Sequence, residues 1–309
     1  MGVKDKLLAN KTIAKIISEL EDIPYEIATV ISPKLNTIMR YKAAFGKKPN
    51  LNNPQTFSEK LLWLKLNHYM NNPLVIKCAD KFAVREYLQE KGCGDILNSL
   101  IGVYNSPKEI PWDELPSQFV LKWNFGAGMN LVVKDKQSLC IPRTVKLFAR
   151  WGKKKYWLAH SEMQYKYTPK KIICESFLQN TEDEVIPDYK VYCFNGKPEA
   201  ILVMHDRGSM VKTEFFDCDW NTLANTKKYS TPIKKTDRPK CLQHMIDASK
   251  KLSEPFPFVR CDYYVVNGEL YFGELTFTPA GGLYTSETLI HGKTMAELLD
   301  ISCLVNKKE

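Results

Sequence analysis

The segment Phe258 to Gly282, FVRCDYYVVNGELYFGELTFTPAGG, constrains the fold more than any other part of the chain. Asn267-Gly268 separates two runs rich in Val, Tyr, Leu and Phe, a pattern that predicts a β-hairpin. Side chains alternate along a strand, so Asp262 and Glu274 can point to one face near the outer ends of the two strands. Mg²⁺ takes one or two protein carboxylates together with substrate phosphates. The segment predicts either a metal-phosphate site or an ordinary hairpin with solvated acids.

Two basic residues are candidates for catalysis. Arg260 lies two residues before Asp262, hence on the same face, and can stabilise the charge of a transferring phosphoryl group. Lys190, in Asp188-Tyr189-Lys190, begins another predicted strand. It can meet phosphate or a substrate carboxylate, or form a surface salt bridge.

A second signature surrounds Lys122, in PSQFVLKWNFGAGMNLVVKDK. The pattern predicts a strand that ends near Lys122, a glycine turn and another strand. Gly126 and Gly128 would let backbone N–H groups approach phosphate oxygens closely. The segment lacks the Gly-Lys-Ser/Thr of a Walker loop and the third glycine of the dinucleotide fingerprint. It predicts a phosphate-covering loop or a plain turn.

Taken in order, these segments and four others resemble one fold family. The others are NPQTFSEKLLWLKL, KCADKFAVREYLQEKG, ICESFL and DYKVYCFNGKP. From about Tyr41 to Gly282 the chain resembles the ATP-grasp proteins, and more narrowly the family similar to the ATP-grasp protein of teichuronopeptide biosynthesis. The resemblance implies an α+β fold in which two α+β lobes sandwich ATP, preceded by an N-terminal helical extension.

The resemblance also implies a set of site residues for ATP and Mg²⁺. Two lysines would meet the phosphates and the glycine loop would fold over them, while an acidic hinge residue and the backbone after it would meet adenine and ribose. Two acids would hold Mg²⁺. These residues are Lys81 and Lys122 for phosphate, Gly126, Ala127 and Gly128 in the loop, Glu175, Ser176, Phe177 and Leu178 at the hinge, and Asp262 and Glu274 for the metal.

Four more residues are candidates for substrate contact. Thr276 stands two residues after the second acid, where many ATP-grasp proteins carry Asn, a better magnesium ligand. Gly281 and Gly282 can let a substrate approach the backbone closely or form a plain loop. Arg207 follows a predicted strand and can bind an acidic acceptor or lie in a turn with solvated charges.

The predicted domains follow from the same reading. Residues 1–50 form the N-terminal helical extension and residues 51–115 a helical first lobe. Residues 116–178 form the small ATP-grasp lobe with the glycine loop, and residues 179–309 the C-terminal lobe with the metal and substrate site.

The resemblance implies a carboxylate-amine ligase that acts through an acyl phosphate. Its substrates would be a uronic acid or similar carboxylate and an amino acid or other amine, in cell-surface polysaccharide synthesis. A glycosyltransferase, an ATP-grasp kinase and a non-catalytic nucleotide-binding partner remain alternatives. The chain lacks Gly-x-Ser-x-Gly, His-Glu-x-x-His and Cys-x-x-Cys, so hydrolase, zinc protease and thiol-redox functions lose their usual support.

Composition limits the location and the partners. With 309 residues, 44% of them hydrophobic, the chain can bury a substantial core. Nine cysteines without regular spacing favour free thiols in a reducing compartment, so the predicted location is the cytoplasm. The net charge of +9 favours an anionic small molecule or glycan as partner. No nucleic-acid-binding motif accompanies it.

The N-terminus has lysines interleaved with apolar residues at helical spacing. They include Lys4, Lys6, Lys11 and Lys15, and no apolar run is long enough for a membrane span. The pattern predicts a helix that packs on the body or contacts the inner membrane surface peripherally.

Overall fold

The structure is a computed structural model that describes residues 11–180, 186–205, 212–223, 236–285 and 288–306, with side chains from residue 20 onward. It contains helices and two antiparallel sheets, which confirms the predicted α+β class. No helix in these ranges is both long enough and apolar enough to cross a membrane.

Helices dominate residues 11–90, and local signals set their ends. The second helix begins at Pro33, a residue favoured in the first helical turn. It ends before Gly46, which has the left-handed φ of 72° that is typical of a helix C-terminus. Thr56 and Glu59 form a capping box at the start of the third helix. The helices are α1 (Lys11–Ile31), α2 (Pro33–Phe45), α3 (Phe57–Leu64), continued by a π-helical turn (Lys65–Tyr69), α4 (Pro73–Ala79) and α5 (Val84–Glu90).

One predicted helix is divided. The apolar spacing of residues 78–88 predicts a continuous helix, but α4 ends at Ala79 and α5 begins at Val84. Asp80 has an extended backbone, and its Oδ1 accepts hydrogen bonds from the N–H groups of Phe82 and Ala83 at 2.7 and 3.2 Å. An Asp side chain competes in this way with helical hydrogen bonds. Lys81 therefore lies in a tight turn between the helices.

The smaller sheet has four antiparallel strands in the order β1-β4-β2-β3. Strand β1 comes from the range 51–115, where the sequence predicts helices, because its short run LIGVY becomes a strand only by pairing with the distant β4. Helix α6 packs on this sheet, where the indole of Trp123 donates to the carbonyl oxygen of Phe148 at 3.1 Å. The elements are β1 (Leu100–Tyr104), β2 (Phe119–Trp123), β3 (Asn130–Val133), α6 (Ile141–Gly152), α7 (Trp157–His160) and β4 (Ile172–Ser176).

The larger sheet has five antiparallel strands in the order β7-β6-β5-β8-β9. The predicted hairpin is confirmed, with Asn267 and Gly268 at φ angles of 53° and 85° between β8 and β9. Helix α8 contacts β5, β6 and β8. The elements are β5 (Asp188–Phe194), β6 (Lys197–His205), β7 (Lys212–Phe216), α8 (Leu242–Ser253), β8 (Phe258–Val266), β9 (Glu269–Thr276), α9 (Met295–Leu298) and α10 (Ser302–Val305).

Asn124, just before the glycine turn, forms hydrogen bonds with two other segments of the chain. Its side chain is fully buried, accepts from the N–H of Lys171 at 2.8 Å and donates to the carbonyl oxygen of Pro169 at 2.9 Å. Its own carbonyl oxygen accepts from the N–H of Lys81 at 2.9 Å. One residue therefore connects the end of β2, the start of β4 and the turn that holds Lys81.

We expect Asn124→Leu to destabilise the protein by about 1–3 kcal/mol, because it removes both side-chain hydrogen bonds of a fully buried amide. Urea unfolding measures the difference. Asn130→Leu, at an exposed position on β3, is the matched control and should change the unfolding free energy far less. Equal effects of the two substitutions would contradict the connecting role of Asn124.

Candidate active site

A cleft of about 360 Å³ lies between the two sheets. The residues predicted to bind ATP, phosphate and magnesium, together with Lys190, all line it, although they come from distant parts of the chain. They are Lys81, Lys122, Gly126, Ala127, Gly128, Glu175, Ser176, Phe177, Leu178, Lys190, Asp262 and Glu274.

The carboxylate pair at the floor of the cleft follows from the hairpin register. Asp262 on β8 is the direct cross-strand partner of Glu274 on β9. Arg260 donates two hydrogen bonds of 2.6 Å to Asp262, one from Nε to Oδ1 and one from a terminal nitrogen to Oδ2. Lys190 Nζ lies 2.9 Å from Oδ2 of the same carboxylate. Asp262 is thus buried but surrounded by two cations.

Glu274 is paired with Lys81. Their Oε2 and Nζ atoms are 3.0 Å apart, and the same Nζ donates to the carbonyl oxygen of Gly126 at 2.6 Å. Burial raises the pKa of Glu274, but the charges of Lys81, Arg260 and Lys190 and the hydrogen bond from Lys81 outweigh it and lower the pKa to about 2. Glu274 is therefore ionised at neutral pH.

Lys122 has its own carboxylate partner. Its Nζ is 2.6 Å from Oε2 of Glu175, whose Oε1 lies 3.3 Å from Arg85. Arg85 also donates to the carbonyl oxygen of Asn98 at 2.8 Å, and Asn98 donates to that of Ser176 at 2.8 Å. The Glu175 side chain thus faces the lysine, and the backbone after it forms the far wall of the cleft.

The glycine loop has the backbone that its sequence predicts. Gly126 and Gly128 have φ angles of 65° and 72°, a conformation that L-residues with side chains rarely adopt. A Cβ atom at Gly126 would come within 2.5 Å of the ring of Tyr156. The loop therefore requires glycine both for its conformation and for its close contact.

The remaining predicted residues lie away from the cleft wall. Arg260 lies behind Asp262, and one of its terminal nitrogens is 3.4 Å from Oγ1 of Thr276. Gly281 and Gly282 pack against His160 and Leu62, which gives both glycines a packing role. Arg207 lies outside the described residues.

The structure adds residues to the cleft that sequence reasoning missed. Arg85, Asn98 and Asp188 hold or face the predicted side chains, and Tyr264 and Ile186 also line the cleft. Arg85 lies four residues after Lys81, and this spacing is the only indication of its role in the neighbouring sequence. Asn98 carries no local signal, because its partners are remote in sequence.

The donor set fits a magnesium ion. Two carboxylates stand side by side on paired strands and face the cleft. Mg²⁺ keeps several waters and uses few protein ligands, so two carboxylates suffice. Asp262 and Glu274 would hold the ion.

Comparison with known proteins identifies one family. The sequence model of the family described as TupA-like ATPgrasp matches residues 59–293, about three quarters of the chain. No curated protein matches the sequence.

Several solved structures are similar in fold at low identity. The D-alanine–D-alanine ligase from Bacillus anthracis, complexed with ATP, has 16% identity and a TM-score of 0.43, over 75% of this chain and 67% of that one. The L-amino acid ligase from Bacillus licheniformis has 14% identity and a TM-score of 0.38, over 65% and 40%. The N5-carboxyaminoimidazole synthase from Aspergillus clavatus has 12% identity and a TM-score of 0.40, over 66% and 45%.

The depressed pKa of Glu274 predicts a pH-dependent stability. The folded-state pKa of about 2 lies below the ordinary value of 4.5, so the pairing stabilises the protein above about pH 4.5 and is lost as the pH falls towards 2. Because the Glu274 side chain is 35% exposed, solvent screening reduces the contribution to about 1–2 kcal/mol.

We therefore expect the difference in unfolding free energy between the wild type and Glu274→Gln to shrink over that range. Denaturant titrations at several pH values measure it. Glu269→Gln, at the exposed start of the same strand, should follow the wild type. A difference that does not change with pH would contradict the Lys81–Glu274 pairing.

Proposed function

Because this chain belongs to the TupA-like ATP-grasp family, we propose that it is an ATP- and magnesium-dependent ligase that joins a carboxylate to an amine. The family and its ATP-grasp fold are those that the sequence predicts. The observation that carries the proposal is that one cleft brings together Lys81, Lys122, the glycine loop and the carboxylate pair.

In the first step, a carboxylate oxygen of the acceptor attacks the γ-phosphorus of ATP. The bond from that phosphorus to the bridging oxygen breaks, and ADP leaves with the electron pair, which gives an acyl phosphate. Phosphoryl transfer needs positioning and charge neutralisation rather than a protein nucleophile. Lys81, Lys122 and Lys190 supply these charges from different sides of the cleft.

In the second step, the amine attacks the carbonyl carbon of the acyl phosphate. The carbon-oxygen bond to phosphate breaks, inorganic phosphate leaves, and the nitrogen loses a proton to give an amide. Arg260, near the start of β8, holds Asp262 from behind, and its charge would help to stabilise the transferring phosphoryl group. Mg²⁺, when bound, would neutralise charge on the nucleotide phosphates.

Nucleotide binding requires an exchange of partners in this cleft. Lys81, Lys122 and Lys190 are paired with Glu274, Glu175 and Asp262, respectively. Phosphate oxygens replace the carboxylates as partners of the lysines. Glu274 and Asp262 then become available as ligands for a cation.

The proposed acceptor is a uronic acid or similar carboxylate of a cell-surface polysaccharide, such as a capsule or a teichuronopeptide-like polymer, and the amine is an amino acid or related compound. Similarity to the family named for teichuronopeptide synthesis supports this role. The net charge of +9 favours an anionic acceptor. We place the enzyme in the cytoplasm, a reducing compartment that suits its nine free cysteines, five of them buried.

The activity predicts release of ADP and phosphate that depends on both substrates. With Mg-ATP, uronic acids or nucleotide-uronates and an amino-acid mixture, ADP should accumulate only when an acid and an amine are both present. Asp262→Asn with Glu274→Gln should lower the rate at least about 100-fold, the cost of losing charge stabilisation of this kind. Glu269→Gln is the matched control.

Other products would redirect the assignment. ADP release with an acid or alcohol alone, and a stable phosphorylated product, would indicate a kinase. Release of UDP from a nucleotide-sugar without ATP turnover would indicate a glycosyltransferase. Either outcome would contradict the ligase.

We also propose that α1 contacts an anionic membrane surface. One side of α1 packs on the body through Ala28 and Thr29. The other side exposes five large aliphatic side chains at helical spacing, Leu20, Ile23, Ile27, Val30 and Ile31, between 45% and 71% exposed.

A lipid surface suits this row better than a second copy of the chain. The row is about 17 Å long and about 10 Å wide, or about 170 Å², whereas a stable protein interface needs about 800 Å² from each partner. Lysines 4, 6, 11 and 15 precede the row and favour anionic lipid. Glu21 and Glu26 lie beside it and oppose that attraction, so we expect weak, salt-sensitive binding.

Sedimentation with phosphatidylcholine vesicles, with and without phosphatidylglycerol, tests this contact. The wild type should sediment with the anionic vesicles at low salt. The triple variant Ile23→Ser, Ile27→Ser and Val30→Ser should stay in solution, while Leu289→Ser, at an aliphatic residue 49% exposed elsewhere, should behave as the wild type. No binding by the wild type, or a dimer that the triple variant abolishes, would contradict the proposal.

A further inference from the structure

A short segment beside the cleft, residues 156–165, contacts the glycine loop. We call it the bridging segment. The ring of Tyr156 packs so closely on Gly126 that a Cβ atom there would clash at 2.5 Å. Tyr165 supports that ring edge-on, with centroids 5.2 Å apart. The Tyr156 hydroxyl forms a hydrogen bond with the backbone of Ala127. Burial and the nearby Glu162 raise the pKa of Tyr156, and this hydrogen bond opposes that rise.

The same segment contacts the chain that leaves β9. The hydroxyl of Thr278 donates to Oε1 of Glu162 at 2.6 Å, in a site where both side chains are buried. Gly281, at a φ of 65°, approaches the ring of His160 so closely that a Cβ atom there would lie 2.8 Å from Nδ1. Thr278 is four residues after Glu274, so Glu162 is connected to the strand that carries the second acid.

Four polar side chains from the N-terminal helices hold the back of the bridging segment. They bind three successive carbonyl oxygens, each within 3.2 Å. Thr29 and Asn36 contact that of Leu158 at 2.6 and 3.2 Å, Asn36 and Arg40 that of Ala159 at 3.1 and 2.5 Å, and Lys65 that of His160 at 3.0 Å.

These contacts limit the segment to one arrangement. Thr29, Asn36 and Lys65 are at most 4% exposed, so a movement of the segment would remove hydrogen bonds from buried polar groups. A buried group that is left unsatisfied costs about 1–3 kcal/mol. Lys65 opens the π-helical turn after α3, an irregularity that places its ammonium under the segment.

We propose that the bridging segment is a positioning element that fixes the glycine loop and the β9 exit relative to each other, so that nucleotide and magnesium strengthen each other's binding. Tyr156 and Glu162 act as positioning residues, the first on the phosphate side and the second on the acid side. The inference rests on the proposed function, since it concerns the same ATP and magnesium site.

Calorimetric titration of the full chain with ADP, with Mg²⁺ and with EDTA, tests the inference. The quantity of interest is the ratio of the two ADP affinities. Tyr156→Phe removes only a hydroxyl and Glu162→Gln only a charge, and each should lower that ratio by about 3-fold to 30-fold, the range for residues that couple two sites. In the double variant the two losses should be less than multiplicative.

The controls separate positioning from general stability. Tyr167→Phe, at a tyrosine 49% exposed on the same stretch, should leave the ratio unchanged. Should Glu162→Gln fail to fold, Thr278→Val removes the same hydrogen bond from the other side and takes its place. Unchanged ratios in Tyr156→Phe and in the Glu162 or Thr278 variant, in folded protein, overturn the inference.

The experiment also distinguishes the two proposals. A wild-type chain that binds no ADP contradicts the proposed function itself. A wild type whose ADP affinity rises with Mg²⁺, together with variants that keep the same rise, contradicts the bridging role alone.

Discussion

Two carboxylates that stand side by side in a cleft repel each other unless cations lie close to both, and this charge balance organises the site. The register of the hairpin places Asp262 beside Glu274, so every nearby element must supply positive charge. Strand β8 supplies Arg260, β5 supplies Lys190, and the turn between α4 and α5 supplies Lys81. The turn before α5, the larger sheet and the glycine loop therefore meet at a pair of acids, next to the apolar core that packs the helices on the larger sheet.

Short sequence motifs predict those parts of the site that depend only on residues close together in the chain. Asn267-Gly268 predicts the hairpin, and with it the pairing of the two acids, because a two-residue turn fixes the register. The turn around Lys81 is different. The apolar spacing there predicts a continuous helix, and the break follows from the hydrogen bonds of the Asp80 carboxylate to two backbone N–H groups.

Contacts between segments that are far apart in the chain cannot be predicted from short sequence motifs in the same way. Strand β1 exists because it pairs with β4, about seventy residues later, and its five residues predict nothing alone. Arg85 and Asn98 acquire their roles only when the fold brings Glu175 and Ser176 of β4 beside them. Family resemblance identified the cleft lysines, acids and hinge, but the side chains that hold them in place required the three-dimensional structure. Residues that position a site follow the particular packing of one chain, whereas residues that bind phosphate follow general chemistry.

The lysines and the carboxylates of the cleft are paired with each other, and under the proposed function this pairing would affect how a nucleotide binds. Each lysine that faces the cleft contacts a carboxylate at 2.6 to 3.0 Å, so the incoming phosphates must displace an existing ion pair. The exchange is unfavourable for a nucleotide alone, since it would leave Glu274 and Asp262 without their partners beside a polyanion. A divalent cation held by those carboxylates removes that penalty. Under the proposed function, the pairing of lysines with acids would therefore favour nucleotide and metal that enter the cleft together.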